Sequence, residues 1–436
     1  MTHTGSEDTK KESVLEHALD GFIRQGERLE GTGGFPTKKH EEWRFVRLKS
    51  LVAPERYEVA DAAKDPATAL DATQRAELDA KLEEILVSEA NGALAVCING
   101  VWSESLSTLD GLNEGTSAQV VSFSQDVELV GELSGLVQDG KDYFTALNDT
   151  SWQQTLKVSV NKDTHGGCLH VVYVDAPASG SAVLSVPRAY VHVQRGSKFA
   201  LVEDHISLGE GVSTMIPVVE VSLEENARCD HTKVQQNQLE AHHVARHAIK
   251  IVEGAHYASC TFHMGAQLSR QDMHAEIAGG NTNCELHGLA LIDGQQVSDT
   301  HSVMNHVHAH AQSDQVHKCV VGGKAHAVFN GKIFVREGAQ QIDAFQLNRN
   351  LLLSDRAQVD TKPQLEIFAD DVKCSHGATI GQLDEDQLFY LQARGVAKDE
   401  ARALLTYAFA AELVDKVPQL SVRKRVSQMI LEKTTY

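Results

Sequence analysis

Cys374 and His376 lie two residues apart in the stretch DDVKCSHGATIGQLDED, which covers residues 370–386. On an extended strand both side chains point to the same face, because successive side chains alternate. A thiolate and an imidazole are good ligands for soft or borderline metals, and they can also form a nucleophile–base pair. Two ordinary residues on a strand are the third alternative, since no third orienting residue is evident. The residues alone leave all three open.

A second candidate site comes from the concentration of histidine in the middle of the chain. Of 22 histidines, 14 lie between residues 231 and 326, and the densest stretch is MNHVHAHAQSDQVH. If this stretch is extended, His306, His308 and His310 share one face and could hold zinc, iron or nickel in a metal-dependent β-fold enzyme. The alternative is the solvated face of an outer strand, because ligands usually converge from different strands and only Asp314 offers a nearby carboxylate.

The motifs of common catalytic sites are missing from the sequence. It contains no G-x-x-x-x-G-K-[ST], no G-x-G-x-x-G after a strand, no G-x-S-x-G and no H-E-x-x-H. We therefore expect that this chain binds no nucleotide.

Charge and cysteine usage limit the partners and the compartment. The 436 residues carry a formal charge of −20, which disfavours nucleic acid and anionic membranes as partners. No segment approaches the ~18 apolar residues of a membrane span, and the polar N-terminus lacks the apolar core of a signal peptide. Seven dispersed cysteines without a C-x-x-C pair indicate a reduced, cytoplasmic chain.

The first 150 residues are predicted to form a helical or mixed domain. The stretch KKESVLEHALDGFIRQG, residues 10–26, has the apolar spacing of a helix. A second helix is expected after Asp71, a possible N-cap. Asn99-Gly100 between two apolar runs predicts a hairpin. The segment EEWRFVRLKSL is either a docking patch or a segment packed on the body.

Residues 151–382 are predicted to form a β domain. Short runs rich in β-branched residues alternate with turns, and no proline occurs between Pro217 and Pro363. Central strands exclude proline, so a large continuous β structure is expected. A sandwich or barrel and a parallel β-helix both hide sheet faces of this size. The pattern does not choose between them.

Residues 383–436 are predicted to form three short helices. Asp384 can cap the first and Gly395 can close it. The second carries an apolar stripe on one side, formed by Leu404, Leu405, Ala408, Phe409 and Leu413. These helices have little core of their own, so they must pack on the β body or on a partner.

Two long stretches resemble the core signature of the SufB/SufD family, the scaffold subunits of the Suf iron–sulfur cluster assembly machine. They are QVHKCVVGGKAHAVFNGKIFV and NRNLLLSDRAQVDTKPQLEIFADDVKCSHGATIGQLDEDQLFYLQARGV. EEWRFVRL and FTALN are similar to the N-terminal half of the family. The chain has NLLLSD where the B-type has its cluster-building cysteine, so Ser354 or a neighbouring leucine replaces that cysteine. The sequence therefore resembles the D-type.

The resemblance implies a right-handed parallel β-helix core flanked by N-terminal and C-terminal helical regions. It implies a non-catalytic scaffold that forms a heterodimer with a SufB-type subunit through the ends of the β cores. It further implies that the C-terminal helices bind a SufC-type ABC ATPase, which hydrolyses the ATP. His376 would hold a transient iron–sulfur cluster at the subunit interface, with Cys374 as a weaker candidate. A reduced flavin in the complex is compatible with this assignment.

Overall fold

The computed structural model describes residues 35–46, 48, 51, 57–122, 136 and 142–434, and most of them belong to strands. In chain order the strands are β1 (Leu94–Ile98), β2 (Val101–Thr108), β3 (Thr116–Ser122), β4 (Gln154–Val160), β5 (His165–Asp175), β6 (Ala182–Ser185), β7 (Arg188–Val193), β8 (Lys198–Ser207), β9 (Val212–Met215), β10 (Val218–Leu223), β11 (Arg228–Gln235), β12 (Ala241–Ile251), β13 (His256–His263), β14 (Leu268–Ile277), β15 (Thr282–Ile292), β16 (Val297–His306), β17 (Ala311–Val321), β18 (His326–Val335), β19 (Ile342–Leu352), β20 (Gln358–Ile367) and β21 (Val372–Gly381). The helices are α1 (Ala72–Glu84), α2 (Tyr143–Ser151), α3 (Glu385–Ala393), α4 (Lys398–Val414) and α5 (Leu420–Thr434). Short 3₁₀ helices span Glu41–Trp43, Pro66–Ala69 and Ser88–Ala90.

The strands form a parallel β-solenoid of about eight turns. The first sheet has the order β2-β1-β5-β8-β11-β13-β15-β17-β19-β21, and the second runs β20-β18-β16-β14-β12-β10-β7-β4-β3 with β6 and β9 attached. From β4 and β5 onward, neighbouring turns pair residues 26 to 33 positions apart, as in His242–Leu268 and Thr155–Arg188. This variable spacing explains why no strict repeat is visible in the sequence.

The space between the two sheets, here called the lumen, is filled by every second side chain of each strand. Its apolar part includes Leu201, Cys229, Tyr257 and Met273, all buried. A polar part contains charged and imidazole side chains from both sheets. Parallel in-register stacking places equivalent side chains of successive turns in columns, so one position recurs along the whole length of the solenoid.

The two ends of the solenoid differ. The first turn is closed by the antiparallel hairpin β1–β2 and by β3, which runs antiparallel to β4. Asn99 and Gly100 have φ angles of 50° and 85°, so the predicted hairpin turn is confirmed. At the other end, β20 and β21 are the last strands of their sheets, and nothing in the described part of the chain pairs with their outer edges.

The starts of the predicted helices are confirmed where the structure describes them, although the helix that was expected to run from Asp71 to just before Gly92 already ends at Glu84. Asp71 caps α1 through a capping box with Gln74, and Asp384 accepts hydrogen bonds from the first turn of α3. Gly395, just after α3, has a φ of 88°. The helix predicted for residues 10–26 lies outside the described residues. In the described part before residue 151 the structure has three strands, and β1 pairs with β5.

A segment at the N-terminal side, the clasp (Glu41–Trp43), crosses the outer face of the second sheet. Its partners come from four successive strands: Arg270, His301, Lys332 and Lys362. The Glu42 carboxylate lies 2.7 Å from Lys332 Nζ and 3.0 Å from His301 Nδ1. The buried Trp43 ring lies 3.9 Å from the Arg270 guanidinium carbon. The segment with Trp43 is therefore packed on the body.

Helices α4 and α5 cover the outer face of the first sheet. Leu413, Val426 and Ile430 are buried against strand residues such as Val234 and Phe262. A polar contact fixes the position of α5 on the sheet, because Arg425 of this helix lies 2.8 Å from the buried Asp204 carboxylate of β8. No helix in the described ranges is long and apolar enough to cross a bilayer.

Candidate functional site

The uncovered end of the solenoid brings Cys374 and His376 to the surface. Both lie on β21, which among the described strands pairs with β19 alone, so that Cys374 is opposite Ala344 and His376 is opposite Gln346. Ala344 and Gln346 are buried lumen residues. The two side chains of β21 therefore face the lumen direction at a point where no further turn of the described chain covers them.

The two residues differ in exposure. Cys374 is half-buried and packs against the apolar part of the lumen, while His376 is exposed. Burial, followed by the nearby Asp343 carboxylate, raises the pKa of the Cys374 thiol, so the thiol is protonated at neutral pH. The imidazole offers a ligand atom to an incoming group more readily than the thiol. They share one face, as predicted for an extended strand.

Exposed apolar side chains also lie at this end of the solenoid. Phe368, in the turn between β20 and β21, is 59% exposed, and Ile380 on β21 is 50% exposed. Ile367 and Phe345 are exposed on the adjacent strands. Free strand edges together with apolar side chains are typical of a surface that pairs with another chain.

The predicted partner-binding stripe on α4 is divided by the fold. Leu404 and Ala408 are exposed, whereas Leu405 and Phe409 are half-buried. Leu413 is fully buried against the β body, so it is not available to a partner and we leave it out of the docking surface. Two further exposed aromatic residues, Phe389 and Tyr390, lie on the neighbouring α3.

The expectation of one histidine face over His306, His308 and His310 is wrong. Strand β16 ends at His306, and the chain then turns, with a φ of 61° at His310. His306 is buried, with Nε2 2.9 Å from Ser313 Oγ, while His308 and His310 are exposed. The three imidazoles do not converge, so this stretch does not form the metal site of the alternative enzyme.

A different cluster of potential ligands lies inside the lumen and was not predicted. Glu203, His231 and His247 come from β8, β11 and β12 and place one potential ligand atom each within 4.8 Å of the others. All three are buried. They are distant in sequence, and only the register of the turns brings them together. The sequence did carry one signal for this cluster: polar residues alternate in Glu203-x-His205 and His231-x-Lys233, which places each pair on one face of its strand.

The sequence matches a family model described as SUF system FeS cluster assembly, SufBD core domain, over residues 176–409. It is 32% identical to an iron–sulfur cluster assembly SufBD family protein of Synechocystis over 441 residues, covering 98% of this chain and 94% of the relative. It is 28% identical to the iron–sulfur cluster assembly protein SufD of Escherichia coli, covering 97% of this chain and 92% of the relative. A chloroplastic protein of Arabidopsis thaliana, ABCI7, is 38% identical over 55% of this chain and 51% of the relative.

The matched family segment begins just before β6 and extends into α4, so it contains most of the solenoid and the uncovered end. Together with the near full-length relatives, this match shows that the chain belongs to the SufBD family of iron–sulfur cluster assembly proteins.

Proposed function

We propose that this chain is a D-type, non-catalytic scaffold subunit that pairs end to end with a SufB-type subunit during iron–sulfur cluster assembly. The observation that carries the proposal is the uncovered end of the solenoid, where His376 lies near exposed apolar side chains and two strand edges that no described strand pairs with. A solenoid that remained alone would need a polar capping turn at this end. The names of the SufD relatives support the D-type assignment.

In this proposal His376 contributes an imidazole to the nascent cluster, which is cargo rather than a resident cofactor. Iron accepts imidazole beside sulfide and thiolate ligands, as Rieske centres demonstrate. Six of the seven cysteines are buried and all seven are free, so this chain offers the interface at most one thiol, Cys374. The partner would supply the remaining thiolate ligands. The free state of all seven cysteines supports the proposed cytoplasmic location.

The ATPase partner would dock on the outer side of the C-terminal helices. Leu404, Ala408, Phe389 and Tyr390 present apolar surface there, while the opposite side of α4 is held by the β body. Lys318 Nζ donates a hydrogen bond to the Phe409 carbonyl oxygen at 2.7 Å and lies 2.6 Å from Glu412. This attachment would transmit movement of the ATPase to the strands of the first sheet.

The end-to-end pairing is tested by co-expression with a SufB-type and a SufC-type subunit under anaerobic conditions. The double substitution Phe368→Asp and Ile380→Asp places charges in the proposed interface and should abolish co-purification with the SufB-type subunit, because an unpaired buried charge is costly. Leu239→Asp is the matched control, since Leu239 is 60% exposed in a turn far from this end. Normal pairing by the double variant would refute the interface.

The role of His376 is tested in the same complex. His376→Ala should leave the complex assembled but reduce the visible absorption of the cluster, because only a ligand is removed. His308→Ala is the control, as His308 is another exposed histidine. Leu404→Asp should instead release the ATPase while sparing the other pairing. A His376→Ala complex with normal cluster content would exclude a ligand role for this residue.

A further inference from the structure

The lumen contains a compact group of ligand-type side chains far from the uncovered end in the order of turns. Glu203 and His231 lie on adjacent strands of the first sheet, β8 and β11, and His247 reaches the same point from β12 of the second sheet. The group is thus made of residues that converge from both sheets. All three side chains are at most 1% exposed, so water does not compete freely for their ligand atoms.

The carboxylate of Glu203 is the centre of the group. His231 Nε2 is hydrogen-bonded to Glu203 Oε1, and His247 Nε2 lies 3.4 Å from the same oxygen. In a tetrahedral site with bonds of about 2.0–2.2 Å, ligand atoms are separated by about 3.3–3.6 Å. The His247–Glu203 separation already has this value, and a movement of about 1 Å by His231 would open room for an ion.

Two neighbours hold the ligands from behind. His205 Nε2 lies 3.1 Å from Glu203 Oε2, the second oxygen of the carboxylate. Tyr257 Oη lies 2.8 Å from His231 Nδ1. In this structure Nε2–H of His231 donates to the Glu203 carboxylate, so an ion would displace that proton. Nδ1–H donating to the Tyr257 oxygen would then hold the ring with its Nε2 lone pair on the ion. Metal-bound histidines commonly have such an outer partner on the second ring nitrogen.

Buried polar atoms without partners point to an occupant of this space. Neither ring nitrogen of His247 makes a hydrogen bond within the described part of the protein, and the same holds for the nearby His243. Buried polar groups are nearly always hydrogen-bonded, so unpaired nitrogens indicate a bound water or ion. For His247, one nitrogen is aimed at the Glu203 carboxylate, where a cation would be attracted by both.

We propose that Glu203, His231 and His247 bind a divalent first-row transition metal ion, such as Zn²⁺ or Fe²⁺, inside the solenoid. Two imidazoles and one carboxylate are the ligand set of His₂Glu zinc sites and of the two-histidine, one-carboxylate iron sites. The fourth position is left to water. This site is separate from His376 and does not depend on the proposed function, since it requires no partner chain.

The test is metal content and spectroscopy of the full-length chain expressed alone. Cells are grown with added Zn²⁺ or Co²⁺, and the protein is washed with a chelator before elemental analysis, because a buried ion is retained. Wild type should carry about one ion per chain, and the Co²⁺ form should show visible d–d absorption. Glu203→Gln and His247→Gln should each lose the ion.

Matched variants separate the ligands from their surroundings. His263→Gln changes another buried lumen histidine and should retain the ion, as should His376→Ala. Tyr257→Phe removes only the outer partner of His231 and should weaken Co²⁺ affinity by about 10-fold or more. Retention of the ion by Glu203→Gln and His247→Gln would overturn the proposal.

Anomalous diffraction from wild-type crystals grown with Co²⁺ keeps the test decisive if a variant fails to fold. A peak between the three side chains is expected. Its absence, or a wild-type protein without metal after growth in either ion, would overturn the proposal. An ion found only at His308, His310 or His376 would likewise overturn it.

Discussion

His231 and His376 occupy the same column of the solenoid. The register runs from one to the other through Ser259, Leu286, Gln315 and Gln346. His231 has turns on both sides, is buried and is committed to Glu203 and Tyr257. His376 has a described turn on one side, that of β19, and is exposed. The same residue type at the same position is therefore enclosed in one place and accessible to an incoming group in the other.

The difference shows that the exposure of a lumen residue is set by whether a turn lies on each side of its strand, rather than by the local sequence. Both histidines lie on regular strands with parallel neighbours, and neither lies in a loop. A second copy of the end, or a related solenoid, would convert the environment of His376 into one like that of His231. Assembly would then change the chemistry of a residue without changing its conformation.

The largest difference in the free energy of unfolding is expected between the two alanine variants of these histidines. His231→Ala removes a hydrogen bond to a buried carboxylate and leaves a cavity, so the free energy of unfolding should fall by about 3 kcal/mol or more. His376→Ala should change it by no more than about 0.5 kcal/mol. Urea unfolding of the isolated chain measures both. Equal losses would show that the two positions are equally buried.

A smaller difference in the free energy of unfolding is expected between alanine variants of one apolar residue from each of these two regions. Leu286→Ala empties a fully buried position in the lumen and should cost about 2–5 kcal/mol. Leu365→Ala, on the last strand of the second sheet, changes a half-buried residue and should cost about 1 kcal/mol. Thermal or urea unfolding gives the values. If pairing buries Leu365, its cost should rise in the complex, and an unchanged cost there would contradict burial.

The smallest effect, counted per pH unit, is expected in the pH dependence of stability. Burial lowers the pKa of His306 to about 4, whereas an unfolded histidine titrates near 6.5. As the pH falls from 6.5 towards 4, the unfolded chain binds a proton that the folded chain does not, so stability decreases by up to about 1.4 kcal/mol per pH unit. His306→Gln should reduce this slope.

His308→Gln is the control for this measurement, because His308 is exposed two residues away. It should leave the slope of the free energy of unfolding against pH unchanged between pH 6.5 and 4. If the slope fell equally in both variants, burial would not be what keeps His306 unprotonated in the folded chain.

The sequence predicted the elements better than their assembly. The hairpin at Asn99-Gly100, the cap at Asp71 and the β region were all readable, because each depends on neighbouring residues. The choice of a parallel solenoid over a sandwich came from the family resemblance and not from the pattern. Turn lengths that vary from 26 to 33 residues hide the repeat.

The candidate sites were predicted unevenly for the same reason. Cys374 and His376 share a face because they are two residues apart on one strand, which needs no tertiary information. Glu203, His231 and His247 were missed because their proximity depends on the register of three strands. The histidine face at residues 306–310 was wrong because the strand ends at His306, a boundary that alternation of residue types does not reveal.

The clasp at Glu41–Trp43 has a consequence for how the protein comes apart. In a solenoid each turn touches only its neighbours, so a free end can peel away one turn at a time. The clasp joins β14, β16, β18 and β20 through Arg270, His301, Lys332 and Lys362. Peeling of the last turn therefore has to break a bond to a segment anchored three turns deeper. The clasp therefore holds the last turn of the solenoid to turns deeper in the protein, so we expect the uncovered end to unfold together with them rather than separately.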